Sequence, residues 1–102
     1  MIFHIVRTNE NDLFHHIRVN KKRFILIKNI FEKWDINDSF LLESIDENYE
    51  SKNDYIIAKV CYLEEKLIID NPEEIEKYNR YLLINFEILF DPTVQDEKSK
   101  KK

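Results

Sequence analysis

The segment Asn20–Asn29, NKKRFILIKN, sets Lys21, Lys22 and Arg23 directly against Phe24, Ile25, Leu26 and Ile27. From Leu13 to Phe31 there is no acidic residue, yet the stretch carries His15, His16, Arg18, Lys21, Lys22, Arg23 and Lys28. The chain as a whole has a formal net charge of -4, with its acids gathered between Glu43 and Asp54 and between Glu64 and Glu76. The net charge therefore hides a segregated one. Clustered cations of this kind bind phosphate, which makes Lys21, Lys22, Arg23 and Lys28 candidate nucleic-acid contacts. Trp34, in a loop, is a candidate for stacking on a base. Each has a structural competitor. A helix C-terminus collects cations at its carbonyl pole, and a loop Trp can plug the end of a barrel.

A second group has the opposite sign. Asp46, Glu47, Glu50 and Asp54 surround Tyr49 and Tyr55 in a polar connection. Carboxylates of this density steer toward a basic groove, and tyrosines anchor contacts, so Glu47, Tyr49, Glu50 and Tyr55 form a candidate protein-docking face. A solvated hairpin is the competing reading. The histidines carry no metal spacing: His15 and His16 are adjacent and diverge by about 100° on a helix, and His4 in a strand reads as a hydrogen-bonded structural residue. Cys61 is single, which excludes an intrachain disulfide and a cysteine-based zinc site, and it reads as a small buried hydrophobe. No Gly-rich phosphate loop, Ser-His-Asp or Cys-His pattern is present. No metal or cofactor is implied.

The elements that must position these residues follow from periodicity. Strands are expected at Ile2–Val6, Arg23–Asn29, Ser39–Ile45, Tyr55–Leu63 and Tyr81–Phe90. A helix capped by Asn11 or Asp12 should bury Leu13, Phe14 and Ile17 and end near Asn20. DNPEEIEKYN, with Pro72 at a first helical position and Glu73 and Glu74 in the first turn, predicts a second short helix before the last strand. In Tyr55–Leu63, Ile56, Ala58, Val60 and Tyr62 share one face and Ile57, Lys59, Cys61 and Leu63 the other. Gly is absent, so turns needing positive φ fall to Asn, with Asn20 and Asn37 best placed. Asp38 is expected to accept backbone N–H bonds in its turn. The fold class is a small α+β domain, a mixed β-barrel of about five strands over residues 1–90, followed by a charged flexible tail over 91–102. No apolar run reaches the roughly 20 residues of a membrane span, and the N-terminus lacks signal-peptide features. A cytoplasmic location is expected.

The order of these features resembles the ASCH branch of the PUA-like superfamily, over His4 to Phe90. HIV resembles the His-Glu-Leu opening of a small bacterial and phage subfamily. LFHHIRVNKK resembles its helix and lysine turn, with Asn20 in the Gly position. WDIND resembles its aspartate turn, with Asn37 for Gly and Asp38 retained, and YLLINFEI resembles its closing strand. The departures are Arg23, where the family has Thr or Ser, and Ile27, where it has a strand-end arginine. Lys28 lies one residue later, a slip that reverses strand facing. The resemblance implies a PUA-like barrel with a basic cleft between the first helix and the barrel. It implies a non-catalytic module binding RNA or a nucleotide there. Two alternatives stand beside it. One is a protein-binding inhibitor or regulator acting through the acidic face, for example an anti-defence protein of phage type. The other is an acetylcytidine-type amidohydrolase, for which Lys21 and Lys22 match the family's lysines while its threonine has no counterpart.

Overall fold

The computed structural model describes residues 2–10, 12–28, 32–69 and 78–94, with backbone alone for 67–69 and 78–80. Its elements are β1 (Phe3–Thr8), α1 (Leu13–Arg18), β2 (Phe24–Lys28), β3 (Ser39–Ile45), β4 (Ser51–Ile69) and β5 (Tyr78–Phe90). The strands form one mixed sheet in the order β1-β3-β4-β5-β2. β1 runs parallel to β3, and the other pairings are antiparallel. β1 and β2 therefore run in opposite directions at the two margins. The sheet curls into a half-barrel, and among the described residues its margins are not hydrogen-bonded to each other. Full closure, expected from the need to hide edges, is thus not reached here.

Alternation explains the curl. Phe40 and Leu42 of β3, Ile56, Ala58 and Val60 of β4, Leu82, Ile84 and Phe86 of β5 and Ile25 of β2 all point inward and are buried. α1 joins the far end of β1 to the start of β2 and lays Leu13, Phe14 and Ile17 on this core. Its helical spacing puts these three residues on one stripe. Trp34, Phe40 and Phe86 meet edge to face at 5.7 and 5.5 Å between ring centroids. Such contacts add about 0.5–1.5 kcal/mol each beyond buried area.

Arg18, in the last turn of α1, fixes the helix to the sheet. Its Nη1 and Nη2 donate to both oxygens of Asp54 at 3.0 and 2.8 Å, and Nε and Nη2 donate to both oxygens of Asp91 at 3.1 Å. Its guanidinium also lies over Phe14. Burial raises the Asp91 carboxyl, but hydrogen bonds from Arg18 and Thr93 outweigh it and hold the group below its ordinary value. Burial likewise lowers the Arg18 guanidinium, and the two carboxylates overcome this to raise it. Asp91 also accepts the backbone N–H of Thr93 and starts the helical turn after β5.

Several expectations need correction. β4 starts at Ser51 and runs to Ile69, and β5 starts at Tyr78, so both exceed their predicted spans. Tyr78–Arg80 are strand, whereas residues 70–77, where the second helix was expected to start, lie outside the described residues. Asp12 occupies the cap position of α1 without a side-chain cap bond, and Asn11 lies outside the described residues. Asn37 has φ 78 as expected, but Lys21 rather than Asn20 takes the left-handed turn, at φ 60. A register shift between Val60 and Tyr62 breaks the alternation of β4. Beyond it Leu63 is half-buried against the core while Cys61 and Tyr62 are exposed. Cys61 is therefore a surface thiol at a bulge, because the extra residue of a bulge leaves the ladder.

Candidate binding cleft at the open seam

The gap between the two sheet margins forms a cleft of about 440 Å³. Its walls are Val6, Arg7 and Thr8 of β1 and all five residues of β2. Leu13 of α1 and Leu42 of β3 close it from below, and Lys22 and Glu10 stand at its mouth. Lys22 and Lys28 against Glu10 leave the cleft net positive, Arg7 being paired with Glu43. Lys22 is half-buried, with Nζ 4.8 Å from the centroid of Phe24. Its ammonium is held over an aromatic ring, which leaves its donors for an anion. Arg7 Nε donates to Glu43 Oε1 at 3.2 Å. Thr8 Oγ1 accepts the N–H of Glu10 and so fixes the turn out of β1. The floor is apolar and the rim cationic, an arrangement suited to an aromatic or apolar body carrying negative charge.

Of the residues predicted for nucleic-acid binding, the cleft takes Lys22 and Lys28. Lys21 and Arg23 line a separate depression of about 320 Å³ with Ile88, Leu89, Phe90, Asp91 and Val94. The left-handed turn at Lys21 sends the two neighbouring lysines to different surfaces. Arg23 Nη1 donates to the carbonyls of Ile17 at 2.6 Å and Lys22 at 3.0 Å. It closes the C-terminus of α1, the helix-pole role that competed with phosphate binding. Arg18 is likewise committed to two carboxylates.

Trp34 is not an open stacking platform. The His4 ring covers it at 3.7 Å between centroids and 10° between planes. His4 Nδ1 lies 2.8 Å from Glu32 Oε2, and Nε2 lies 3.0 Å from Asp38 Oδ2. These carboxylates sit on opposite sides of the ring and do not converge on a common point. Among the described residues no cluster of His, Cys, Asp and Glu is gathered to hold a metal ion. Asp38 is buried, and it accepts N–H bonds from Ile2 and Asp35 as well as the His4 contact. The His4 bond, then the two backbone donors, hold its carboxyl at about 2 against the opposing effect of burial. The residues of WDIND thus fix the start of β1 to the start of β3. The hollow beside Trp34 includes Glu32, Glu64 and Glu65 with Lys33, a lining poorly suited to phosphate.

In the acidic connection, Asp46 Oδ1 accepts the N–H of Asn48 and of Glu50, which makes a firm hairpin. Tyr49 stands at its tip, 81% exposed and at φ 63. Glu47 and Glu50 are exposed beside it. Tyr55 is apart from them: it is half-buried and stacks on Phe90 at 6.2 Å. No helix among the described residues is long and apolar enough to cross a membrane.

Sequence reasoning missed Arg7, Thr8 and Glu10. Arg7 and Thr8 end β1 and Glu10 follows it, and only the topology, which sets β1 and β2 at opposite margins of a curled sheet, brings them to the basic segment. No local pattern carries that information. Searches of protein-family models and of curated proteins gave no match to this chain.

Proposed function

We propose that the chain is a small binding module that takes a nucleotide, or a short stretch of single-stranded RNA, in the seam cleft. The observation that carries this reading is the pairing of an apolar floor with Lys22, Lys28 and Arg7 in a gap bounded by two sheet margins. A base fits against Ile25, Ile27 and Val6, and phosphate meets the lysines. Backbone groups along the unpaired margins supply donors and acceptors for base edges. The same reading makes the half-barrel a PUA-like domain of ASCH type, supported by the order of elements and by the Asn37–Asp38 turn. Fluorescence polarisation with short RNA and DNA oligonucleotides across a salt series tests it. Replacing both Lys22 and Lys28 by Ala should weaken binding and lower the salt slope by about 1.4, from about 0.7 per phosphate contact on a single strand. Replacing Lys21 should do less. An unchanged slope in the double variant would exclude the cleft. Acetate release from acetylcytidine that disappears with Lys22→Ala would instead make the module an amidohydrolase.

One observation favours a second reading, docking onto a basic protein surface. Tyr49 holds a left-handed backbone that costs a bulky residue about 1–2 kcal/mol, and it projects from a hairpin rimmed by Glu47 and Glu50. Backbone strain clusters at ligand clamps and switch regions. Affinity purification from the native host with mass spectrometry separates the two readings: nucleic acid supports the cleft, and a stoichiometric protein lost with Tyr49→Ser supports the hairpin.

A further inference from the structure

The outer face of the sheet carries an apolar row that no element among the described residues covers. The register sets Ile5 of β1 opposite Leu41 of β3, Leu41 opposite Ile57 of β4, and Ile57 opposite Phe90 of β5. Inward neighbours of these residues, His4, Phe40, Leu42, Ile56 and Ala58, already fill the core. Leu41, Ile57 and Phe90 are half-buried even so, and Phe90 stacks on Tyr55. Ile5 is 57% exposed and Phe3, in the next row, 55%. An outward row on a one-sided sheet is ordinarily polar.

The flanking rows are charged but internally neutral. Arg7 pairs with Glu43 on one side, and Lys59 pairs with Glu87 on the other. An apolar centre between paired ions has the layout of a protein interface, with a hydrophobic core and a polar rim. The charge balance selects the occupant. A contact between identical patches meets its own charge, so it is favoured where the patch is neutral. Two cations matched by two anions meet that condition on a chain of net charge -4. A highly basic or acidic partner finds no complementary field here.

We infer that this face is a self-association surface, on which a second copy of the chain packs sheet against sheet around Ile5, Leu41 and Ile57. Four strands at about 4.8 Å and three rows at about 6.8 Å cover on the order of 400 Å² of face. Stable complexes bury about 800 Å² of accessible surface per partner, so the dimer belongs to the weak, concentration-dependent class. The inference is independent of what the seam cleft binds.

Sedimentation velocity of the full chain from about 5 µM to about 1 mM tests it. The weight-average mass should rise from 12.5 kDa toward twice that value. Ile5→Lys should hold the chain at the monomer mass over the whole range, and Phe3→Lys should shift the transition to higher concentration. Thermal melting confirms that each variant is folded. Val19→Lys, at an exposed residue ending α1, which packs on the opposite side of the sheet, should associate as the wild type does. A wild-type chain that stays at 12.5 kDa throughout overturns the inference and leaves the face to a different partner. Association unchanged in both the Ile5 and Phe3 variants overturns it equally.

Discussion

Arg18→Ala tests how the helix is held to the sheet. The side chain of Arg18 is 19% exposed, that of Asp91 2% and that of Asp54 38%. Removal of the guanidinium leaves the Asp91 carboxylate buried with only the Thr93 N–H and hydroxyl as donors. Breaking a buried pair from one side costs about 3–5 kcal/mol, and the surviving Thr93 bonds place this case at about 3. The Asp54 half, more than a third exposed, contributes about 0.5 kcal/mol. Loss of the contact over Phe14 adds about 0.5 kcal/mol. A total near 4 kcal/mol is a large share of the stability of a domain this size and lowers Tm on the order of 20 °C. Urea unfolding of Arg18→Ala, Asp91→Ala, Asp54→Ala and the corresponding double variants measures it. The Arg18–Asp91 coupling should exceed the Arg18–Asp54 coupling by about 2 kcal/mol. Equal couplings, or a loss below about 1 kcal/mol for Arg18→Ala, would refute the assignment of Asp91 as the buried partner.

Other outcomes follow from the same geometry. Tyr49→Asn relieves the left-handed strain and should stabilise the chain by about 1 kcal/mol, read as a higher Tm; no gain would show that the tyrosine is unstrained. Asp38 and Asp91 titrate below the ordinary carboxylate range, so from about pH 4 down to about pH 2 the unfolded chain binds protons that the folded chain does not. Stability should fall as pH is lowered through that window, and Asp38→Asn should flatten the fall; a Tm independent of pH there contradicts both assignments. Cys61 is exposed at its bulge and should react with Ellman's reagent in the folded chain, whereas a thiol that reacts only after unfolding would move it back into the core.

The sequence made the elements legible where one side faces the core and the other faces solvent or charge. β3 was read with its observed bounds because SFLLESI is a short apolar run closed on both sides by polar turn residues, and α1 because Leu13, Phe14 and Ile17 repeat at helical spacing. Alternation failed at β4, since a bulge adds one residue without any marker in VCYL, and it reversed the facing of Tyr62 and Leu63. The ends of β4 and β5 were missed because polar residues such as Ser51 and Asn79 pair through backbone groups that composition does not report. The basic segment was legible as a charge run, but its division was not. Arg18 and Arg23 are set apart from Lys22 and Lys28 by what faces them, and those partners, Asp54, Asp91 and the carbonyl of Ile17, are set by topology and by the end of the helix. Trp34 offered both base stacking and a barrel-end plug in the sequence, and the stacking of His4 on its ring, set by the β1–β3 pairing, is not legible there.

On the proposed function, ligand enters the seam between β1 and β2. Backbone amide shifts of the labelled chain, followed by NMR during titration with a short ribonucleotide oligomer, test it most directly. The largest changes should gather at Val6–Thr8, Lys22 and Phe24–Lys28, while the amides of Trp34 and of the Asp46–Glu50 hairpin stay in place. Shifts centred on that hairpin or beside Trp34, or none at saturating oligomer, would contradict it.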